Sequence, residues 1–408
     1  MKINILTQYF PPEVGAPQNR LFELAVRFKK KGADISVITA MPNYPQMEIH
    51  KGYRSKFYCL EMINDIPVHR SWVYVSKSKS IIKRLLNYFS FVFTSLIIGI
   101  LKTKKHDVLF VESPPLFLGI SAYLISRLKG AKLIFNVSDL WPESAEKLGL
   151  VTNKVLLKLS THLEEFFYKK AFLITGQTQG ICENIGKRFP DKDIYWLKNG
   201  VDINYYDVKK QLNSNWRKEN GFLSDDIILI YAGILGYAQG LEIIINAAKQ
   251  LTKNKNIKFV FLGSGPEKSK LMDMKIENDL ENVYFFDAVS KHRMQEILIS
   301  TNASIIPLKK LDLFKGAIPS KIFENLALKK PIILGVDGEA KNLFIEKSKC
   351  GLFFEPESVD DLVKQINYLV KNPDISRRFG ENGFEFVSKE FNRDIIAEEF
   401  WQKINTIT

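Results

Sequence analysis

Ile227-Ile228-Leu229-Ile230-Tyr231-Ala232-Gly233-Ile234-Leu235-Gly236-Tyr237-Ala238-Gln239-Gly240 is the stretch that decides the fold. Six apolar residues ended by glycine spell a strand buried on both faces. Three glycines then lead toward a helix. Leu262-Gly263-Ser264-Gly265-Pro266 repeats the arrangement one unit later, with Pro266 suited to a first helical turn. Outward from here, strands are expected at 257–262, 283–286, 303–307, 331–334 and 352–354, alternating with helices. Upstream the same alternation covers Ile3–Leu6, 35–39, 68–75, 108–111, 133–137, 173–176 and 195–197. A first helix at 18–31 carries the stripe Leu21, Leu24, Ala25 and Phe28 and is ended by Gly32. Strands separated by helical segments imply mainly parallel sheets. Asn199-Gly200-Val201-Asp202 and the polar stretch to Asp226 read as the joint. The expected class is α/β, with two Rossmann-like domains, 1–200 and 201–387, facing each other across a cleft. Ligands belong at the carboxyl ends of their strands.

The 408 residues are 46% hydrophobic and 25% charged, proportions that exclude a disordered or fibrous chain. Cys59, Cys182 and Cys350 stand far apart with no CxxC, which speaks for a reducing compartment and against structural zinc. The opening MKINILTQYF runs straight into a strand pattern without the apolar core of a secretory signal, so a cytoplasmic location is expected. The net charge of +13 favours anionic partners. No RGG tract or zinc-finger spacing accompanies it, and nucleic acid is not expected.

Three places carry chemistry. The loop Tyr9-Phe10-Pro11-Pro12-Glu13-Val14-Gly15-Ala16-Pro17-Gln18-Asn19-Arg20 leads a strand into a helix N-terminus, where amides at Gly15 and the charge of Arg20 suit an anion. It reads equally as a proline-rich turn with a surface arginine, and it lacks GxGxxG. Ile318-Pro319-Ser320-Lys321-Ile322-Phe323-Glu324 sets Lys321 and Glu324 on one helix face, a cation for a diphosphate and a carboxylate for two ribose hydroxyls. A solvated ion pair is the plain alternative. Asp139-Leu140-Trp141-Pro142-Glu143-Ser144 follows a strand, so Asp139 can orient a hydroxyl or take its proton, or else cap a helix. Glu112, ending the preceding strand, is a second carboxylate of this kind. Asp191-Lys192-Asp193 spells a metal-binding DxD, yet it sits in a surface turn with no clustered ligands and reads as chance.

The collinear order of the Tyr9–Arg20 loop, Asn-Gly-Val-Asp, Tyr-Ala-Gly, Gly-Ser-Gly-Pro and Pro-Ser-Lys-x-x-Glu resembles the retaining, metal-independent glycosyltransferases of the GT-B fold, family 4. Pro42-Asn43-Tyr44-Pro45, the Asp139–Ser144 segment and Tyr237–Gly240 are similar to the bacterial branch that includes the L-fucosamine (N-acetyl-L-fucosamine) transferases of O-antigen and capsule assembly. The resemblance implies a UDP-sugar on the second domain, with Gly15, Arg20, Lys198, Gly233, Gly236, Gln239, Gly263, Gly265, Ser320, Lys321 and Glu324 as donor-binding residues. It implies a polyprenyl-diphosphate-linked saccharide on the first, met by Glu13, Asn43, Tyr44, Glu112, Asp139 and Trp141. Asp139, Lys321 and Glu324 would be catalytic, no metal or other cofactor is implied, and the helix about 388–408 would return to the first domain. The pattern departs from the family in three places. The first glutamate of Glu-x7-Glu falls on Gly316, the usual diphosphate Arg and Lys fall on Ile234 and Gln239, and the cleft histidine falls near Asp139. Lys321 is the substitute for the missing cations, with Arg20 or Lys198 as helpers. The alternatives are a UDP-sugar 2-epimerase and a non-catalytic, membrane-associated nucleotide or saccharide binder.

Residues 85–101, LLNYFSFVFTSLIIGIL, hold no charge and are bracketed by Lys77, Lys79, Lys83, Arg84, Lys102, Lys104 and Lys105. At about 1.5 Å per residue the helix falls short of a ~30 Å hydrocarbon core. Apolar all round and basic at both ends, it is expected to touch the inner face of the cell membrane through Phe89, Phe93, Ile97, Lys83 and Arg84. A deeply buried helix or a homo-oligomer interface is the alternative.

Overall fold

A computed structural model describes every residue except Val14, Pro45, Lys79, Leu150, 207–213 and Thr408, with Ile81 and Ile407 described in backbone only. Val14, Pro45 and Lys79, which belong to the segments read above, and part of the expected joint therefore lie outside the described residues. The chain divides into two units, Met1–Asn199 with Arg393–Thr408, and Gly200–Asn392.

The first unit is built on strands β1 (Lys2–Leu6), β2 (Asp34–Ala40), β3 (Tyr58–Ile63), β4 (Ile66–Ser71), β5 (Val108–Ser113), β6 (Lys132–Val137), β7 (Leu173–Gly176) and β8 (Ile194–Trp196), in the order β3-β4-β2-β1-β5-β6-β7-β8. Every pairing is parallel except β3–β4, a hairpin turned at Asn64-Asp65, both with positive φ. The second unit places β9 (Ile227–Ala232), β10 (Ile257–Leu262), β11 (Val283–Phe286), β12 (Ala303–Pro307), β13 (Ile332–Gly335) and β14 (Gly351–Phe353) in the order β11-β10-β9-β12-β13-β14, all parallel. In both sheets the strand order reverses beside the first strand, at β1/β5 and at β9/β12. Open α/β sheets bind ligands at such switch points.

The helical stretch 376–407 is two helices, Pro373–Glu390 and Arg393–Ile407, broken at Phe391-Asn392. The second lies on the first unit against α1 (Ala16–Lys30), with Ile396, Ala397, Phe400 and Ile404 buried in that core. Phe400 stacks on Tyr195 at 5.5 Å and meets Phe28 at 5.9 Å.

Helix α2 (Ile81–Leu101) corrects the all-round apolar reading. It packs on α3 (Leu118–Lys129) with a polar inner stripe, because buried Asn87, Thr94 and Ser95 reach backbone or side-chain partners. Asn87 accepts from Gln8 Nε2 at 2.8 Å and donates to the Tyr74 carbonyl at 2.6 Å. The Thr94 hydroxyl donates to the Trp72 carbonyl at 2.6 Å, and Ser95 pairs with Ser121 at 3.1 Å. Apolar residues face outward instead: Ile82, Leu86, Phe89, Phe93 (63% exposed) and Leu101 are open, beside exposed Lys83 and Arg84. Ile97 is only half-buried, so it is a weaker member of that face. The helix is long and apolar enough to cross a membrane by composition. Its inward hydrogen bonds, however, tie it into the domain.

Candidate functional site

On the second unit the site grows from the β9/β12 switch point. The loop after β9 and the loop after β10 are zipped together: Gly233 N donates to the Leu262 carbonyl, Leu235 N to Ser264, and Glu267 N to Leu235, at 2.9–3.0 Å. A Cβ on Gly263, at φ +146°, would sit 1.9 Å from the Gly233 carbonyl oxygen, so glycine is demanded by this backbone contact. The amides of Ile234, Gly236 and Gly265 are left without an acceptor among the described residues. Gln239 folds its side-chain oxygen back over Gly236.

After β12 the chain enters the helix Lys321–Ala327 at Ser320. Lys321 reaches back to the β9 loop, and its Nζ would lie 3.2 Å from a Cβ on Gly233. It rests 3.7 Å from the centroid of the Tyr231 ring. Among the described residues no hydrogen bond or ion pair holds this amine, and burial pushes its pKa down to about 7 against the pull of Glu324. A buried amine that no hydrogen bond or ion pair holds among the described residues, near open backbone amides, suits an anion. The Tyr231 hydroxyl donates to the Ile234 carbonyl at 2.6 Å, and burial raises its pKa. The structure thus brings Gly233, Gly236, Gln239, Gly263, Gly265, Ser320, Lys321 and Glu324 to one end of one sheet.

On the first unit the expected residues collect at the β1/β5 switch point, but several are already engaged. Glu13 is buried, and its carboxylate accepts from the amides of Asn43 and Tyr44 at 2.8 Å and of Phe10 at 3.2 Å. Burial raises its pKa, opposed by those three amides. It pins two loops, with one oxygen shared by the Asn43 and Tyr44 amides and the other held by the Phe10 amide. Asn43 donates to the Met41 carbonyl, and Tyr44 stands 5.5 Å from Tyr9. Arg20 crosses from α1 to Glu112 at 2.6 Å and Ser138 at 3.0 Å. Glu112 also takes Asn136 at 2.7 Å and the Ser138 hydroxyl. This buried pair joins α1, β5 and β6, while Arg20 Nε and Nη1 stay unpartnered. Arg20, Gly15 and Lys198 belong to the first unit and Lys321 to the second. Lys198 sits over the Trp196 ring at 5.1 Å.

Asp139 is open to solvent on one side. It accepts from Ser144 Oγ at 2.9 Å, and α4 (Glu143–Lys147) has no side-chain cap, so the helix-cap reading does not hold. Surrounding protein raises its carboxyl pKa, partly offset by Ser144 and the Leu140 amide. Trp141, two residues on, meets Phe117 edge-on at 5.6 Å. Asp193 of the DxD is ion-paired to Lys403 at 2.7 Å.

Comparison with known proteins agrees with this geometry. Residues 18–205 match the family model Glycosyltransferase Family 4, and residues 213–386 match Glycosyl transferases group 1. The chain is a glycosyltransferase of the GT-B fold. It is 25% identical to the putative colanic acid biosynthesis glycosyl transferase WcaI of Escherichia coli (strain K12), over 97% of this chain and 100% of that protein. Among solved structures it is similar to sucrose-phosphate synthase from Thermosynechococcus elongatus, with a TM-score of 0.78 and 15% identity over 100% of this chain and 98% of the other. It is similar also to Anabaena HepE in complex with UDP-glucose, with a TM-score of 0.73 and 16% identity over all of both chains.

Some parts of this glycosyltransferase's candidate site escaped the sequence. Tyr231 supplies the resting place of Lys321, a contact between residues 90 positions apart. Ser138, Asn136 and Gln177 complete the Arg20–Glu112 network, and Ser144 holds Asp139. Only their positions at strand ends could have marked them.

Proposed function

We propose that this glycosyltransferase moves a sugar from a UDP-sugar to a polyprenyl-diphosphate-linked saccharide in bacterial surface polysaccharide assembly. An N-acetylated amino sugar such as N-acetyl-L-fucosamine is the proposed donor sugar, with retention at the anomeric carbon. The observation that carries the reading is Lys321, an unpaired cation beside the free amides of Ile234, Gly236 and Gly265. The diphosphate would take that place, lifting Lys321 off Tyr231, while Glu324 holds the ribose. As the bond to the anomeric carbon breaks, negative charge grows on the leaving diphosphate, where Lys321 and the amides stabilise it without a metal. Asp139, on the first domain, orients the attacking hydroxyl. The UDP-glucose complex of HepE supports the nucleotide, and the name of WcaI supports the polysaccharide setting.

The enzyme would work at the cytoplasmic face of the membrane, resting on the outer face of α2. The deciding experiment is nucleoside diphosphate release from a panel of UDP-sugars, with and without lipid-linked acceptor, in the presence and absence of chelator. Release that depends on acceptor and ignores chelator is expected. Conversion of the UDP-sugar without acceptor would favour the epimerase, and loss of activity in chelator would overturn the metal-free step.

A further inference from the structure

The outward face of α2 does not end at the surface. Phe89, 43% exposed, packs its ring on Phe117 at 4.8 Å, and Phe117 meets Trp141 at 5.6 Å. Tyr88 joins the same step, 6.3 Å from Phe117. An aromatic ladder therefore runs from the open apolar row Ile82, Leu86, Phe89 and Phe93 to within two residues of Asp139.

Charge is distributed to match. From Ile66 to His106 the chain holds no Asp or Glu and eight Lys or Arg, of which Arg70 is buried against Glu61 and Lys77 pairs with Glu48. Lys83 and Arg84, at the Tyr88 end of α2, are exposed, and no ion pair engages either among the described residues. Arg84 is close enough to Tyr88 to bias its ionisation. A second copy of the chain is a poor occupant, because a two-fold contact would set exposed Lys83 and Arg84, which no ion pair engages among the described residues, against their own copies. An apolar chain ending in a polyanion fits both halves of the surface.

We propose that Phe89 and Trp141, bridged by the buried ring of Phe117, seat the first isoprene units of the lipid-linked acceptor, with Lys83 and Arg84 holding its diphosphate. The chain would leave the bilayer over the outer face of α2 and present the sugar beside Asp139. This rests on the reading that the acceptor is prenyl-linked.

A benzophenone-bearing farnesyl diphosphate, irradiated with the full-length protein in detergent and mapped by mass spectrometry, tests it directly. Labels on peptides containing Phe89 and Trp141 are expected, and excess unlabelled farnesyl diphosphate should abolish them. Phe89→Ser removes a half-open ring and should weaken probe binding roughly tenfold or more. In detergent it should raise KM for a long-chain acceptor and leave KM for a short-chain soluble analogue unchanged, with a small fall in melting temperature from the lost contact with Phe117. Labels confined to exposed Leu124 and Leu128 of α3 and exposed Leu159 of the helix Lys154–Lys170, or a Phe89→Ser protein that loses only vesicle binding, would overturn the ladder and leave the prenyl-linked acceptor standing. Transfer to soluble sugars with none to any prenyl-linked saccharide would instead overturn the acceptor reading itself.

Discussion

Lys321→Met tests the donor site most sharply, because it keeps the side-chain stem on Tyr231 and removes only the charge. With its pKa lowered to about 7, Lys321 is half-charged in the empty site at neutral pH. At pH 8.5 only about one site in thirty would carry the proton. A bound diphosphate holds the proton on throughout this range, so donor affinity pays for protonation as pH rises. The Kd should weaken about fifteenfold between pH 7 and 8.5, roughly 1.6 kcal/mol at 1.36 kcal/mol per pKa unit. By linkage, binding at pH 7 should take up about half a proton, read by calorimetry in two buffers of different ionisation enthalpy. Lys321→Met should bind about ten- to a hundredfold more weakly at pH 7, with no slope and no proton uptake. Stability moves the other way. The folded-state pKa lies below the ordinary 10.5, so the unliganded wild type gains stability as pH rises from 7 toward 10.5. The variant should lack that gain and melt higher than wild type at pH 7. A wild-type Kd flat across pH 7–8.5, or a fall that persists in Lys321→Met, would refute the reasoning.

Glu324→Gln should weaken UDP binding roughly ten- to a hundredfold with an unchanged melting temperature, measured by calorimetric titration, since the amide loses a charge-assisted bond to the ribose. Asp139→Asn should leave donor affinity intact and lower kcat at least a hundredfold, assayed by nucleoside diphosphate release with acceptor. Gly263→Ala, forced against the Gly233 carbonyl at a φ of +146°, should cost roughly 2–5 kcal/mol of stability in urea unfolding of the second domain.

Much of the fold was legible because parallel strands buried on both faces leave long apolar runs such as Ile227–Ala232, bounded by glycines. Strand β3 was missed, since Tyr58–Ile63 is a half-open edge whose Leu60 and Met62 face solvent, and its hairpin turn is Asn-Asp with no glycine. Expected strand 68–75 begins two residues earlier and stops at Ser71. Helix α2 was misread although its signal was present: Asn87, Thr94 and Ser95 stand at i, i+7 and i+8, one polar stripe in an apolar helix. In the site, Lys321 and Glu324 were visible from spacing alone. The engagement of Glu13 by three backbone amides was not, because it depends on where two distant loops are brought.

The helix Arg393–Ile407 has a consequence for how the protein comes into being. Its Phe400 and Ile404 complete a core whose other members, Ile3, Phe28 and Phe110, are made roughly three to four hundred residues earlier. Residues 1–199 therefore emerge from the ribosome with an open apolar seam, and must wait while the uninterrupted span 200–392 is translated and folds as a self-sufficient body. The strand-like bridge of Val201 to Asn392 brings the two ends of that body side by side, so the closing helix is delivered to the place where the first unit was left. A fragment of residues 1–199 alone should be prone to aggregate, and supplying 393–407 as a separate peptide should rescue its solubility.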